Sequence, residues 1–167
     1  RYTRTHDIPT FGICLGMQAM CIEFARDVLG LEGANSTEID ENAPYKIIDL
    51  MEEQKAVTEY GGTMRLGAYD CIVKKGSKAY SAYKKEHIKE RHRHRYEFNN
   101  DYKEQFEKNG MMCVGRNPES NLVEIVEMPK LRWYIGTQFH PEYSSTVLKP
   151  HPLFLAFIKA AIEYKNK

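Results

Sequence analysis

The segment Gly12-Ile13-Cys14-Leu15-Gly16 constrains the fold of this chain more than any other feature. It follows the apolar run Ile8-Pro9-Thr10-Phe11 and leads directly into a periodic helix pattern. A strand, a one-residue corner and a helix, with a reactive side chain between two glycines, are typical of a nucleophile elbow. We expect both glycines to remove Cβ clashes at the strained corner, and the helix start to favour the thiolate of Cys14. A reactive cysteine is therefore the first hypothesis.

Cys14 could instead be a small buried hydrophobe, which is a common fate of free cysteine. The other cysteines fit that interpretation, because Cys21 falls on the apolar spacing of its helix and Cys71 and Cys113 lie in short apolar runs. The sequence contains no C-x-x-C pair, so zinc binding and dithiol redox chemistry are poorly supported and we expect no metal. It shows no signal peptide and no long apolar span, which favours a reducing, cytoplasmic setting without a membrane partner.

Length and charge narrow the classes of protein that fit. The 167 residues suffice for one domain with a real core, and 42% of them are hydrophobic. A formal net charge of +1 argues against a general nucleic-acid or membrane binder. The first residue is Arg1, and residues 1–7 resemble the basic last turn of a helix that runs into a strand. We therefore expect the sequence to be part of a longer protein.

Apolar periodicity predicts a strand–helix unit, a series of strands and a final helix. One helix stripe begins at Met17 and is stopped by Gly30, and another covers about 152–165 with proline at its start. Further predictions are strands over 8–14, 45–50, 68–74, 91–98, 111–115, 122–128 and 134–139, a helix over 101–108, a turn near 61–67, and a lysine-rich helix or loop over 78–90. Residues 91–98 alternate as in a strand with arginines on one face. This order indicates an α/β sheet flanked by helices.

A histidine and a carboxylate close the last predicted strand, in Thr137-Gln138-Phe139-His140-Pro141-Glu142. A thiol nucleophile needs a base of near-neutral pKa, and histidine is the usual one. The imidazole in turn needs an acceptor on its other nitrogen, and Glu142 is close enough in sequence to supply it. Taken alone, His140 and Glu142 would fit a loop histidine and a solvated charge. If Cys14 and His140 both project from carboxyl ends of parallel strands, the fold brings them together.

The two motifs resemble the paired G-x-C-x-G and F-H-P-E signatures of the class I glutamine amidotransferases. Three further blocks are similar to segments peculiar to the CTP synthase branch of that family. They are Ala34-Asn35-Ser36-Thr37-Glu38, Gly61-Gly62-Thr63-Met64-Arg65-Leu66-Gly67 and Glu90-Arg91-His92-Arg93-His94-Arg95-Tyr96-Glu97. The resemblance implies a flavodoxin-like α/β fold with a central, mostly parallel sheet flanked by helices and missing its first strands. Residues 1–167 would then be a partial glutamine amidotransferase type-1 domain.

The activity that the resemblance implies is glutamine hydrolysis. Cys14 would attack the side-chain amide carbon and leave a glutamyl thioester, which water then hydrolyses. His140 would be general base for the thiol and then general acid for the departing ammonia. Glu142 would orient the imidazole. The resemblance thus implies a Cys–His–Glu catalytic triad.

Four other positions match the family's glutamine pocket. The backbone N–H of Leu15 would donate to the oxyanion, and Gln18 and Glu38 would hold the amino-acid end of the substrate. Arg95 would bind the α-carboxylate, since its planar guanidinium can pair with two oxygens. Without the resemblance, Arg95 fits a solvated strand charge or a phosphate contact within the basic run Arg91-His92-Arg93-His94-Arg95. The balanced net charge weighs against a nucleic-acid patch.

The resemblance also implies partners outside this sequence. They are a synthetase domain of the same polypeptide that binds ATP, Mg²⁺ and UTP, a homotetrameric assembly, and GTP as allosteric activator, while the domain itself holds no cofactor. Nothing before Ile8 resembles the glycine-rich loop that supplies the family's second oxyanion donor. Removing one such donor costs about 10²–10³ in rate, so we expect this segment alone to be a poor glutaminase.

Two other functions remain open from the residues. One is a different thiol γ-glutamyl hydrolase or amidotransferase that shares the elbow, such as a γ-glutamyl peptidase. The other is a non-catalytic regulatory module of the same fold, in which the elbow is a structural relic. Glutamine and γ-glutamyl peptides as competing substrates separate the first alternative from glutamine hydrolysis.

Overall fold

The computed structural model describes residues 1–50 and 64–166 of the chain. The helices among them are α1 (Tyr2–Thr5), α2 (Leu15–Asp27), α3 (Lys78–Tyr83), α4 (Lys103–Lys108) and α5 (Pro152–Lys165), with 3₁₀ turns at Asn100–Tyr102 and Pro141–Ser144. The strands are β1 (Thr10–Ile13), β2 (Asn35–Ser36), β3 (Lys46–Asp49), β4 (Arg65–Val73), β5 (His87–His94), β6 (Glu97–Phe98), β7 (Met112–Arg116), β8 (Val123–Glu127) and β9 (Tyr134–Thr137).

Most elements fall where the periodicity predicts them, with ends that differ by a few residues. The lysine-rich segment contains helix α3 and the first part of β5. The predicted turn near 61–67 is wrong for Arg65 and Leu66, which open strand β4, because the side chain of Arg65 is held inside the protein by two carboxylates. Gly61 and Gly62 of that prediction lie outside the described residues.

Within residues 1–50 and 64–166, the strands form a six-stranded sheet in the order β1-β9-β8-β7-β4-β5 and a small sheet in the order β2-β3-β6. The described sheets are mixed rather than mostly parallel, since only β1–β9 and β2–β3 pair in parallel. The connections from β7 to β8 and from β8 to β9 are short, and short connections join antiparallel neighbours.

Helices pack on both faces of the large sheet. Successive residues of β8 and β9 point to opposite faces, so Val126 and Tyr134 join a core with α2, whereas Ile125 and Ile135 join a second core with α3 and α5. All five residues of β8 and all four of β9 are buried. The central strands are therefore covered on both faces, as the predicted α/β arrangement requires.

Candidate active site

The elbow is built from the end of β1 and the start of α2. Cys14 lies between them with φ 51° and ψ −105°, which is a strained conformation for a residue with a Cβ atom. A Cβ on Gly12 would lie 2.7 Å from the backbone carbon of Gly16, so only glycine allows α2 to start this close to the strand. The expectation for Gly16 is wrong, because a Cβ there would meet no atom within 4 Å.

Parallel pairing of β1 with β9 brings the two sequence motifs to the same edge of the sheet. Ile13 is in register with Thr137, and the N–H of Cys14 donates to the carbonyl of Thr137 over 2.7 Å. Cys14 and the segment from Gln138 to His140 therefore leave the sheet side by side at the carboxyl ends of their strands. The side-chain amide of Gln138 reaches the cysteine, with Nε2 3.6 Å from Sγ.

His140 and Glu142 form a close pair just beyond β9. Nδ1 of His140 lies 2.6 Å from Oε1 of Glu142, and the carboxylate can only accept, so Nδ1–H donates. The backbone N–H of His140 donates to the carbonyl of Arg91, and its ring stacks on Tyr143 with centroids 5.0 Å apart. Nε2 of His140 is buried and makes no hydrogen bond within the described part of the chain. This nitrogen is thus the one left to exchange a proton.

Burial raises the pKa of the Cys14 thiol above its ordinary value. A hydrogen bond from the backbone of Leu15 lowers the pKa in part, and the carboxylates of Glu142, Glu97 and Glu38 raise it further. The helix start lowers the pKa of the thiol through Leu15, as expected, but burial and the nearby acidic side chains outweigh this effect and the net shift is upward. Cys14 rests as a thiol and needs a base to ionise it.

The four predicted pocket residues lie around this elbow or beside its contacts. Leu15 is exposed as the first residue of α2, and Glu38 is exposed after β2, near enough to act on the Cys14 thiol. Gln18 is buried, and its Nε2 donates to the carbonyl of Tyr96 over 3.1 Å and to Oε1 of Gln138 over 3.2 Å. Arg95 is half-buried and immediately precedes Tyr96. Their roles toward a substrate stay predictions.

A hydrogen-bonded cluster holds the turn that carries Glu142. Nε2 of His151 and the hydroxyl of Tyr83 both donate to Oε1 of Glu90 over 2.8 Å, and Oγ of Ser144 donates to Oε2 of Glu90 over 3.4 Å. His151 caps α5, where its Nδ1 accepts from the N–H of Leu153. The 3₁₀ turn Pro141–Ser144 is therefore tied to β5 and to the start of α5.

A closed ring of buried polar residues also lies inside the sheet, and we call it the buried ring. It was missed from the sequence, although the alternation of β5 signals it by placing His92 and His94 on the inward face. The two histidines contact each other through Nδ1 and Nε2 over 2.7 Å. The guanidinium of Arg65 completes the ring with hydrogen bonds of 3.1 Å to Glu97 and 2.8 Å to Glu124. The ring consists of Arg65, Glu97, His94, His92 and Glu124.

The buried ring holds unusual protonation states. Burial and the nearby charge of Arg65 lower the pKa of His92 to about 2 and that of His94 to about 3, so both rings are neutral. Burial raises the pKa of Glu97 to about 8 and also raises that of Glu124. One guanidinium can neutralise one carboxylate, and the second keeps its proton at neutral pH.

Glu97→Gln is expected to become more stable relative to the native protein as the pH rises. The folded pKa of Glu97 is raised, so its stability contribution is complete below the unfolded value and is lost as the pH approaches about 8. Glutamine does not titrate, and the difference in unfolding free energy should move by roughly 2–3 kcal/mol in its favour between about pH 5 and pH 7.5. Urea denaturation at several pH values measures it. A pH-independent difference would contradict the protonated carboxyl.

The described residues give no sign of a metal site or of a membrane span. No group of three or more His, Cys, Asp or Glu side chains among them could hold a metal ion. No helix in the described ranges is both long and apolar enough to cross a membrane.

Comparison with known proteins identifies the class of this protein. Residues 1–160 match the family Glutamine amidotransferase class-I, and the chain belongs to that family. The fold predicted from the paired cysteine and histidine motifs is thereby confirmed. A solved structure of the glutaminase domain of Trypanosoma brucei CTPS with bound acivicin agrees, with a TM-score of 0.90 and 38% identity over 96% of this chain and 62% of that one.

High sequence identity connects the chain with one branch of the family. The chain is 74% identical to a CTP synthase of Bacteroides thetaiotaomicron over 98% of its own length, and 62% identical to one of Porphyromonas gingivalis over its whole length. The resemblance of the sequence blocks to CTP synthases is thus confirmed. The chain spans 30% and 31% of the length of these two relatives.

Proposed function

We propose that this domain hydrolyses L-glutamine to glutamate and ammonia, with Cys14 as nucleophile, His140 as general base and acid, and Glu142 as the group that orients the imidazole. The observation that supports this most is the parallel pairing of β1 with β9. It carries a strained cysteine and a histidine–carboxylate pair to one edge of the sheet. A regulatory module without catalysis would not need a strained cysteine and a histidine–carboxylate pair at the same edge of the sheet.

The reaction proceeds in two halves. Nε2 of His140 takes the thiol proton as Sγ of Cys14 attacks the amide carbon, and the tetrahedral oxyanion receives a hydrogen bond from the N–H of Leu15. The C–N bond then breaks as the imidazolium returns the proton to the leaving nitrogen, which departs as ammonia. Water attacks the remaining thioester with His140 again as base, and glutamate leaves the regenerated thiol.

The pocket around the elbow suits the amino-acid end of glutamine. The carboxylate of Glu38 would pair with the α-ammonium group, and the guanidinium of Arg95 with the α-carboxylate. Gln18 contributes to this end of the pocket from the first turns of α2. The negative charge near Cys14 is then partly neutralised by the substrate itself, which eases ionisation of the thiol.

The similarity to CTP synthases supports a larger proposal for the full-length protein. Ammonia from this domain would pass to a synthetase domain of the same polypeptide, which uses ATP and Mg²⁺ to aminate UTP to CTP. We further propose a cytoplasmic homotetramer that GTP activates. The domain itself would need no cofactor.

Substrate preference in the full-length protein tests the glutaminase proposal. Labelled L-glutamine and a γ-glutamyl dipeptide are supplied as competing substrates, and release of the two products is followed together. We expect glutamine to be preferred by a wide margin. The dipeptide presents the same free α-ammonium and α-carboxylate groups, so the preference would rest on the small size of the departing ammonia and not on Glu38 and Arg95. Preference for the peptide would instead favour a γ-glutamyl hydrolase.

Glu142→Gln is expected to lower the kcat of glutamine hydrolysis by about 10²–10⁴-fold, because the neutral amide no longer stabilises the imidazolium and its N–H can donate to Nδ1, which favours the wrong tautomer. The residual rate should exceed that of a variant without the nucleophile. Glutamate release at saturating glutamine measures the effect, and Glu163→Gln, the same change on the exposed side of α5, is the matched control. A kcat equal to that of the native protein would remove Glu142 from the mechanism.

A further inference from the structure

We propose that Gln138 is a catalytic residue that donates a hydrogen bond to the sulfur of Cys14, and that Gln18 and the carbonyl of Tyr96 set the direction of that bond. The inference rests on the proposed role of Cys14 as nucleophile. It adds a residue that touches the reacting atom, and it gives Gln18 a positioning role besides the predicted contact with substrate.

The position of Gln138 is tightly fixed by its neighbours. It is fully buried immediately after β9, and its backbone N–H donates to the carbonyl of Glu124 over 2.9 Å. The carbonyl of the preceding residue, Thr137, accepts from the N–H of Cys14. Backbone bonds therefore fix both ends of the contact between Nε2 of Gln138 and Sγ of Cys14, which measures 3.6 Å.

The direction of the side-chain bonds follows from a backbone carbonyl. The backbone carbonyl oxygen of Tyr96 can only accept a hydrogen bond. The atom of the Gln18 side-chain amide that lies 3.1 Å from it is therefore the nitrogen. That nitrogen also lies 3.2 Å from the Gln138 amide, whose facing atom must then be its oxygen. The nitrogen of Gln138 is left to face the sulfur. Gln18 thus donates both to the carbonyl of Tyr96 and to Gln138, and Gln138 donates onward to Cys14.

A donor at this point assists the step in which the thiol ionises. Burial and three nearby acidic side chains raise the pKa of Cys14, and a hydrogen bond from the backbone N–H of Leu15 lowers it in part. The side-chain N–H of Gln138 acts in the opposite direction and favours the thiolate, because a hydrogen bond to a charged acceptor is stronger than one to a neutral acceptor. As His140 takes the proton, the negative charge on sulfur meets a donor that is already in place.

The test measures the reactivity of Cys14 in the full-length protein, without glutamine turnover. Iodoacetamide alkylation is followed from acid to alkaline pH, and labelling of the Cys14 peptide is read by mass spectrometry. Gln138→Met keeps the length of the side chain and removes the donor. We expect the apparent pKa of the thiol to rise by about one unit, and labelling below that pKa to slow by about tenfold.

Two further variants complete the design. Gln18→Met leaves Gln138 in place but frees its amide to rotate, so the shift should be in the same direction and smaller. Gln105→Met makes the same chemical change on an exposed part of α4 and should change nothing. Thermal melting checks the fold of each variant. If Gln138→Met does not fold, the shift of the apparent thiol pKa in Gln18→Met tests the inference.

Labelling profiles of Gln138→Met and Gln18→Met that coincide with the native profile would overturn the inference. A shift in Gln138→Met alone would overturn the part assigned to Gln18 and keep the donor. Because alkylation needs no glutamine, these outcomes are independent of whether glutamine hydrolysis depends on Cys14. A failure of the proposed function is therefore distinguishable from a failure of this inference.

Discussion

Cys14→Ala is expected to lower glutamine hydrolysis by the full-length protein by at least about 10⁴-fold, since no other group can form the thioester. The backbone conformation at the elbow should survive, because alanine keeps the Cβ atom of cysteine and removes only the sulfur. Glutamate release at saturating glutamine measures the loss directly. If the larger proposal holds, CTP formation from free ammonia and UTP should continue at close to the native rate.

A second cysteine offers the matched control for this prediction. Cys113 packs against the core on the α2 side of the sheet, so Cys113→Ala should cost some stability and keep the glutaminase rate. Loss of ammonia-dependent synthesis in Cys14→Ala would indicate a folding defect rather than a missing nucleophile. Glutamine hydrolysis at the native rate in Cys14→Ala would contradict the role of the cysteine outright.

Arg65→Met is expected to destabilise the protein by about 3–5 kcal/mol, because it leaves Glu97 and Glu124 buried together without a cation. The least costly response is protonation of the second carboxyl. At pH 7, protonating a carboxyl of ordinary glutamate pKa alone costs about 3.5 kcal/mol. The midpoint of urea denaturation should fall accordingly, with little change in the slope of the transition.

The control for this prediction lies on β5, the strand that pairs with β4. Arg93 on β5 is exposed, and Arg93→Met should change the free energy of unfolding by no more than about 0.5 kcal/mol. Adding Glu97→Gln and Glu124→Gln to Arg65→Met should recover much of the loss, since no buried carboxyl then remains without its cation. An unchanged denaturation midpoint in Arg65→Met would show that the ring carries no charge that needs Arg65.

The elbow was predictable because its signals are local. Gly12, Cys14 and the apolar stripe of α2 lie within one short segment, and a strand, a tight corner and a helix follow from steric rules on neighbouring residues. The pair of His140 and Glu142 is also local, at two residues apart. That this pair leaves the sheet at the same edge as Cys14 could be expected only from the rule that parallel strands end at one edge, and the β1–β9 pairing satisfies that rule.

The rest of the site depends on contacts between distant segments. The sequence does not show that Gln18 and Gln138, 120 residues apart, share a hydrogen bond. Nor does it show that Arg65 lies between Glu97 and Glu124, because strand order is set by pairing of the whole sheet. The run from Arg91 to Arg95 suggested a basic patch. The alternation of β5 instead exposes Arg91 and Arg93 and buries His92 and His94.

Covalent labelling of the full-length protein with a chloroketone analogue of glutamine tests most directly whether Cys14 is the nucleophile of a glutaminase. We expect one equivalent of label, mapped to Cys14 by peptide mass spectrometry, with loss of glutamine hydrolysis in proportion. Glutamine should protect against labelling, and His140→Ala should slow it. A protein that hydrolyses glutamine but carries the label on another residue, or none on Cys14, would contradict the assignment.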